Sequence, residues 1–139
     1  MLMKLASGVS IIDTVDAEEV AQVANQAGCV LYQISMAGRS GRESFFAAIK
    51  DALPLDPPIS GARSWEALAD SLWEGIHQKN HRCAVILWSD ATTMAEESPR
   101  DFAAAVDVLT DVARLLGDPD AAAGRPTDVC VYVAKRTNT

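Results

Sequence analysis

Residues 83–88 read Cys-Ala-Val-Ile-Leu-Trp, an unbroken apolar run with polar residues on both sides. A run of this length, rich in branched and aromatic side chains, predicts a strand that is covered on both faces, as strands of parallel sheets are. Residues 29–34 and 129–133 form two further runs of this kind. Because helical patterns separate the three runs, we expect an α/β fold with a small three-stranded parallel sheet, packed with helices and joined by right-handed crossovers.

Helical spacing of apolar residues predicts the helices between these strands. The first helix occupies about residues 16–27, with Asp16 and Glu19 as its cap, and it precedes the strands as an extension. The second helix begins with Ser40 and Glu43, which are spaced as a capping box, and a proline ends it. The first helix could cover a face of the sheet or help to bind a partner, and the sequence does not decide between the two.

Two more helices follow residues 54–61, Pro-Leu-Asp-Pro-Pro-Ile-Ser-Gly, a stretch that is too rich in proline for regular structure. Ser64 is a good cap for a third helix, over residues 65 to about 77. Ser98-Pro99 opens a long helix that Gly117 ends, and residues 118–126 form a loop punctuated by Pro and Gly. The helix that follows Ser64 is the one on which the functional hypothesis depends.

Length and charge limit the classes of function. A chain of 139 residues fits one domain, 1–139, and it has no apolar stretch long enough for a membrane span and no secretory signal at its N-terminus. We therefore expect a cytoplasmic protein. The net charge of −7 argues against direct binding of nucleic acid, since phosphate contacts need clustered Lys and Arg. A basic protein is the partner that this charge would attract.

The three cysteines, Cys29, Cys83 and Cys130, lie far apart in the chain and form no Cys-x-x-Cys pair. Each begins or lies within an apolar run. We expect them to be small buried hydrophobic residues in a reducing compartment, with no disulfide and no metal.

The helix after Ser64 carries a row of acidic residues. On a helical wheel Glu66, Asp70 and Glu74 line one flank, with no helix-spaced Lys or Arg among them, and Trp73 lies beside the row. A merely solvated face would show the same pattern, and Trp73 would equally suit packing under the long loop. The core side is expected to consist of Trp65, Leu68, Ala69, Leu72 and Ile76.

Residues 64–72, Ser-Trp-Glu-Ala-Leu-Ala-Asp-Ser-Leu, resemble the barstar-family segment Asn-Trp/Leu-Asp-Ala-Leu-x-Asp-x-Leu. As in that family, the segment follows a proline-rich approach. The strand ending in Leu87-Trp88, the helix start at residues 98–102 and the closing strand agree in order, so the resemblance covers about residues 28–135. It implies a barstar-like fold and an inhibitor, an immunity protein or antitoxin of bacterial type, that blocks the active site of a basic ribonuclease.

The resemblance also implies which residues bind the partner. Asp70 matches the central aspartate of the family, and Glu66 matches a second contact aspartate with one more methylene. Gly61, Arg63 and Ser64 match the contact loop approximately, and Trp73 and Glu74 are further candidates on the flank. The loop departs from the family before Gly61 and in its spacing to the helix, so the target need not be barnase itself. The free chain is expected to be a monomer.

Two other classes of function remain as alternatives. A nucleotide-binding enzyme would need a phosphate cradle, and residues 38–41, Gly-Arg-Ser-Gly, lack the longer glycine pattern and the lysine. His77 and His81 do not form a zinc motif and are expected to be solvated or capping, so we expect no cofactor, no metal and no enzyme activity. A regulatory adaptor on the same scaffold, with a partner that is not a nuclease, is the other alternative.

Overall fold

The structure is a computed structural model that describes residues 4–58 and 64–136. It contains four strands, of which the sequence predicted three. In chain order the elements are β1 Gly8–Ile12, a 3-10 turn Thr14–Asp16, α1 Ala17–Gln26, β2 Val30–Ile34, α2 Arg42–Ala52, α3 Trp65–Lys79, β3 Cys83–Trp88, α4 Thr92–Glu97, α5 Pro99–Gly117 and β4 Asp128–Ala134.

The sheet is wholly parallel and has the order β1-β4-β3-β2. The prediction of three strands was therefore wrong by one. The added strand, β1, lies at the edge and pairs with β4 in the register Gly8 with Cys130 through Ile12 with Ala134. Its sequence, Gly-Val-Ser-Ile-Ile, interrupts the apolar residues with Gly8 and Ser10, so it does not resemble the buried runs. An edge strand is held largely by backbone hydrogen bonds to its one neighbour, which leave little trace in the sequence.

Successive side chains along each strand point to opposite faces of the sheet, so the core has one part on each face. Ile86, Trp88 and Val131 point to the face that α2, α3 and α5 cover. Val85, Leu87, Cys130 and Tyr132 point to the opposite face, where Val20 and Ala24 of α1 are fully buried. The N-terminal helix therefore covers the second face of the sheet, a question that the sequence had left open.

Cys29 and Cys83 form a disulfide, so the prediction that no cysteine is bridged was wrong. The cause is the register of β2 and β3, in which Val30 pairs with Ala84, so the two preceding cysteines lie side by side. Their Cα atoms are 4.9 Å apart although 54 positions separate them in the chain. Cys130 is free and buried as expected.

The predicted capping box at the start of α2 was also wrong. The N-cap residue is Gly41, which has φ 94°, and Ser40 lies one residue too early to cap the helix. The hydroxyl group of Ser40 instead donates to the carboxylate of Glu97, and the backbone N–H of Arg42 donates to Asp101 at 3.1 Å. A carboxylate from α5 therefore caps α2 from 59 positions away.

At the start of α1, Asp16 occupies the predicted N-cap position, but its side chain makes no capping hydrogen bond. Asp13 instead caps the preceding 3-10 turn, where it accepts from the backbone N–H of Val15 at 3.3 Å. Across the described ranges, no helix combines the length and apolar character needed to cross a membrane.

Candidate functional site

Ser64 caps the start of helix α3, as predicted. Ser64 has extended backbone angles, and its side-chain oxygen accepts from the backbone N–H groups of Glu66 and Ala67 at 3.1 and 3.2 Å. These two N–H groups have no partner inside the helix, so the cap stabilises the first turn by about 1 kcal/mol. The cap thus holds the turn that carries Glu66.

The opposite side of α3 anchors it in the core. Leu68, Leu72 and Ile76 are fully buried, and Trp65 and Ala69 pack against the same cluster. This confirms the predicted core side. Because these residues pack α3 against the core, the acidic flank on its other side belongs to a rigid element.

The proline-rich approach lies directly against α3. A Cβ atom added to Gly75 would be 2.1 Å from the backbone oxygen of Pro54, so only glycine permits this contact. The backbone N–H of Asp56 donates to the carbonyl of Ser71 at 3.0 Å, and its carboxylate accepts from Gln78. The described part of the segment before Ser64 is therefore fixed to the helix.

The acidic flank has the predicted geometry. Glu66 and Asp70 are exposed, and neither side chain has a hydrogen bond or ion pair within residues 4–58 and 64–136. Glu74 is half-buried and accepts only a long hydrogen bond, 3.4 Å, from Gln78. These two carboxylates are thus exposed to solvent and unpaired among the described residues.

A groove between α3 and α5 adjoins this flank and has a volume of about 380 Å³. Val112, Leu115 and Ala69 supply apolar surface, and the carboxylates of Asp70 and Asp111 lie among the lining residues. The remaining lining residues are Trp73, Glu74 and Ala121. An apolar surface with acidic groups around it suits a long side chain that ends in a positive charge.

Trp73 packs against the core and also lines the groove. Its ring stacks on His77, with the ring centroids 4.6 Å apart. His77 is 5% exposed, so the expectation of a solvated or capping histidine was wrong for this residue. Its Nε2 donates to the carbonyl of Ala122 at 2.8 Å, and its Nδ1 accepts from Arg125 at 3.4 Å. The long loop therefore fixes His77, and His77 fixes Trp73.

The structure brings together five of the seven candidate binding residues. Ser64, Glu66, Asp70, Trp73 and Glu74 lie on α3 or at its cap. Gly61 and Arg63 lie outside the described residues.

Asp111 and Leu115, which line the groove from α5, were not predicted as site residues. Asp111 also approaches Arg114 at 3.5 Å, with both side chains exposed. Asp107 is exposed one turn away and is not part of the groove. No local signal distinguishes Asp111 from Asp107, since both are acidic residues on the polar side of one helix.

The phosphate cradle considered at residues 38–41 is occupied by the chain's own carboxylates. Asp101 takes the first N–H of α2, and Ser40 bonds to Glu97. Asp90, at the ends of β2 and β3, accepts from the backbone N–H groups of Met36 and Ala37 at 2.9 and 3.1 Å. A phosphate would have to displace these groups against their negative charge, which weighs against the nucleotide-binding alternative.

Comparison with known proteins agrees with the resemblance at α3. The model of the family described as Barstar (barnase inhibitor) matches residues 30–132, from the first residue of β2 into β4. Searches of curated proteins and of solved structures gave no match. The match covers most of the chain, includes α3 with its acidic flank and leaves β1 and α1 as an N-terminal extension, so the chain belongs to the barstar family.

Proposed function

We propose that this chain is an intracellular inhibitor of a basic ribonuclease or a similar toxin, and that it binds its target through the acidic flank of α3. The observation that carries the proposal is the exposed carboxylate of Asp70, which has no partner among the described residues, on a helix whose other side is buried, in a member of the barstar family. The chain itself performs no catalysis in this proposal.

The physical basis is competition with RNA for positive charge. A ribonuclease that binds phosphates presents Lys and Arg side chains in its active site. Asp70 and Glu66 would replace the phosphates there, and they lose no internal hydrogen bond on binding because they have none within the described residues. The net charge of −7 would speed the encounter with a basic target.

The groove extends this contact surface toward α5. A cationic side chain of the target would lay its aliphatic part on Leu115 and Ala69 and place its charge between Asp70 and Asp111. Trp73, held by its stack on His77, would be a preorganised aromatic contact. Glu74, Gly61, Arg63 and Ser64 complete the proposed surface.

The test is inhibition of RNA cleavage by purified wild-type protein and by Asp70→Ala. Barnase is the first nuclease to use, followed by any basic nuclease that the protein captures from its own cells. We expect Asp70→Ala to raise the inhibition constant at least about 30-fold, since central charged contacts contribute about 2 kcal/mol or more.

Asp107→Ala is the matched control, because it removes the same charge from an exposed position outside the groove. It should leave inhibition within about twofold of wild type. A captured partner that wild type and Asp70→Ala hold equally well would contradict the proposal and favour the adaptor alternative. The free chain is proposed to be a monomer, which light scattering would check.

A further inference from the structure

The Cys29–Cys83 bridge differs from the remaining cysteine in its access to solvent. Both bridged residues are half-buried, whereas Cys130 is 1% exposed. Burial, with the nearby charge of Asp128, raises the pKa of the Cys130 thiol to about 11. The structure therefore combines one accessible bridge with one protected thiol.

A groove of about 430 Å³ between α1 and the start of β2 leads to one end of the bridge. Cys29 belongs to its lining, and Cys83 does not. The other lining residues are Glu18, Ala21, Gln22, Asn25 and Leu31. A small molecule in this groove would therefore contact Cys29 and not Cys83.

We propose that Cys29 is a site of exchange with low-molecular-weight thiols. The thiolate of the small thiol attacks Cys29 Sγ in the groove and forms a mixed disulfide there. The bond to Cys83 Sγ breaks, its electron pair stays on Cys83 as a thiolate, and that thiolate takes a proton from water. The small thiol is oxidised as Cys83 is reduced, so no other oxidant is required.

The charge of the groove selects among thiols. Glu18 is the one ionisable side chain among the described residues that line it, since Cys29 is bridged. Glu18 lies in the first turn of α1, and its carboxylate in the groove attracts a cationic thiol that enters it and repels an anionic one. The ligand class is therefore a small thiol with a positive charge, of which cysteamine is the simplest probe.

The position of the adduct can be read directly. The three cysteines fall in separate tryptic peptides, residues 5–39, 83–100 and 115–135. Oxidised protein would be treated briefly with cysteamine, alkylated and digested. We expect the cysteamine adduct on peptide 5–39 and alkylation on peptide 83–100, with Cys130 unmodified. An adduct mainly on Cys83, or three free thiols in protein purified without reductant, would overturn the proposal.

The charge preference has its own matched experiment. 2-Mercaptoethanesulfonate has the same two-carbon stem as cysteamine and the opposite charge. The exchange rate with cysteamine divided by the rate with 2-mercaptoethanesulfonate should be about threefold or more lower in Glu18→Gln than in wild type. Glu19→Gln, which removes the neighbouring carboxylate outside the groove, should leave the ratio unchanged. An equal change in both variants would show that net charge alone sets the preference and would contradict a groove-specific site.

Discussion

Two acidic regions of this protein contain the same residue types and use them differently. At the ends of β2 and β3, Asp90 and Asp101 accept backbone N–H groups, and Glu97 accepts from Ser40. On α3, Asp70 and Glu66 have no partner within the described parts of the chain. The difference shows that a carboxylate's neighbours, and not its identity, separate a structural charge from one that is available to a partner.

The largest effect is expected at the structural region. Asp90 accepts from Met36 and Ala37, and Ala37 has φ 53° in the turn after β2. Asp90→Ala would leave these N–H groups unpaired and should lower the free energy of unfolding by about 3 kcal/mol. Urea denaturation would measure this. Inhibition by the folded fraction should stay within about twofold of wild type. A specific loss of inhibition would show that Asp90 also takes part in binding and is not purely structural.

Asp70 should show the reverse pattern. Asp70→Ala should change the free energy of unfolding by less than about 0.5 kcal/mol, because its side chain is exposed and has no partner among the described residues. Binding of the nuclease should weaken by about 2 kcal/mol or more. Urea denaturation and an inhibition assay on the same preparation separate the two effects. A large loss of stability would mean that Asp70 is structural after all.

A smaller structural effect is expected at Asp101. Its carboxylate caps α2 through the backbone N–H of Arg42. Asp101→Ala should therefore cost about 1 kcal/mol of stability and leave inhibition unchanged. Asp101→Asn retains an acceptor oxygen and should recover part of the loss in thermal denaturation. No recovery would indicate that the charge, and not the hydrogen bond, stabilises the helix start.

The smallest effect is expected at the edge of the groove. Asp111 lines it but also approaches Arg114, so its charge is already partly compensated. Asp111→Asn should weaken nuclease binding by about 0.5 kcal/mol, mainly through slower association at low salt. Stopped-flow measurement at two ionic strengths would detect this. An effect no larger than that of Asp107→Asn would exclude α5 from the contact surface.

Local sequence signals predicted the elements that carry the proposed site. Continuous apolar runs identified β3 and β4, since strands covered on both faces need apolar side chains throughout. The run at residues 29–34 identified β2, although this strand lies at the edge of the sheet and exposes Gln33, so the expectation that both its faces are covered was wrong. Ser64 and the spacing of Leu68, Leu72 and Ile76 predicted the cap and the core side of α3, and hence the exposed flank with Asp70. These properties depend on residues within a few turns of one another, so the sequence alone was enough for them.

Tertiary structure decided the features that depend on distant residues. The Cys29–Cys83 bridge follows from the register of two parallel strands, β1 from pairing with the last strand, and the cap of α2 from a carboxylate on α5. The groove likewise exists because α5 places Asp111 and Leu115 beside α3. Strand register and helix packing arise from the sum of many weak contacts across the chain, and no short stretch of sequence contains that sum.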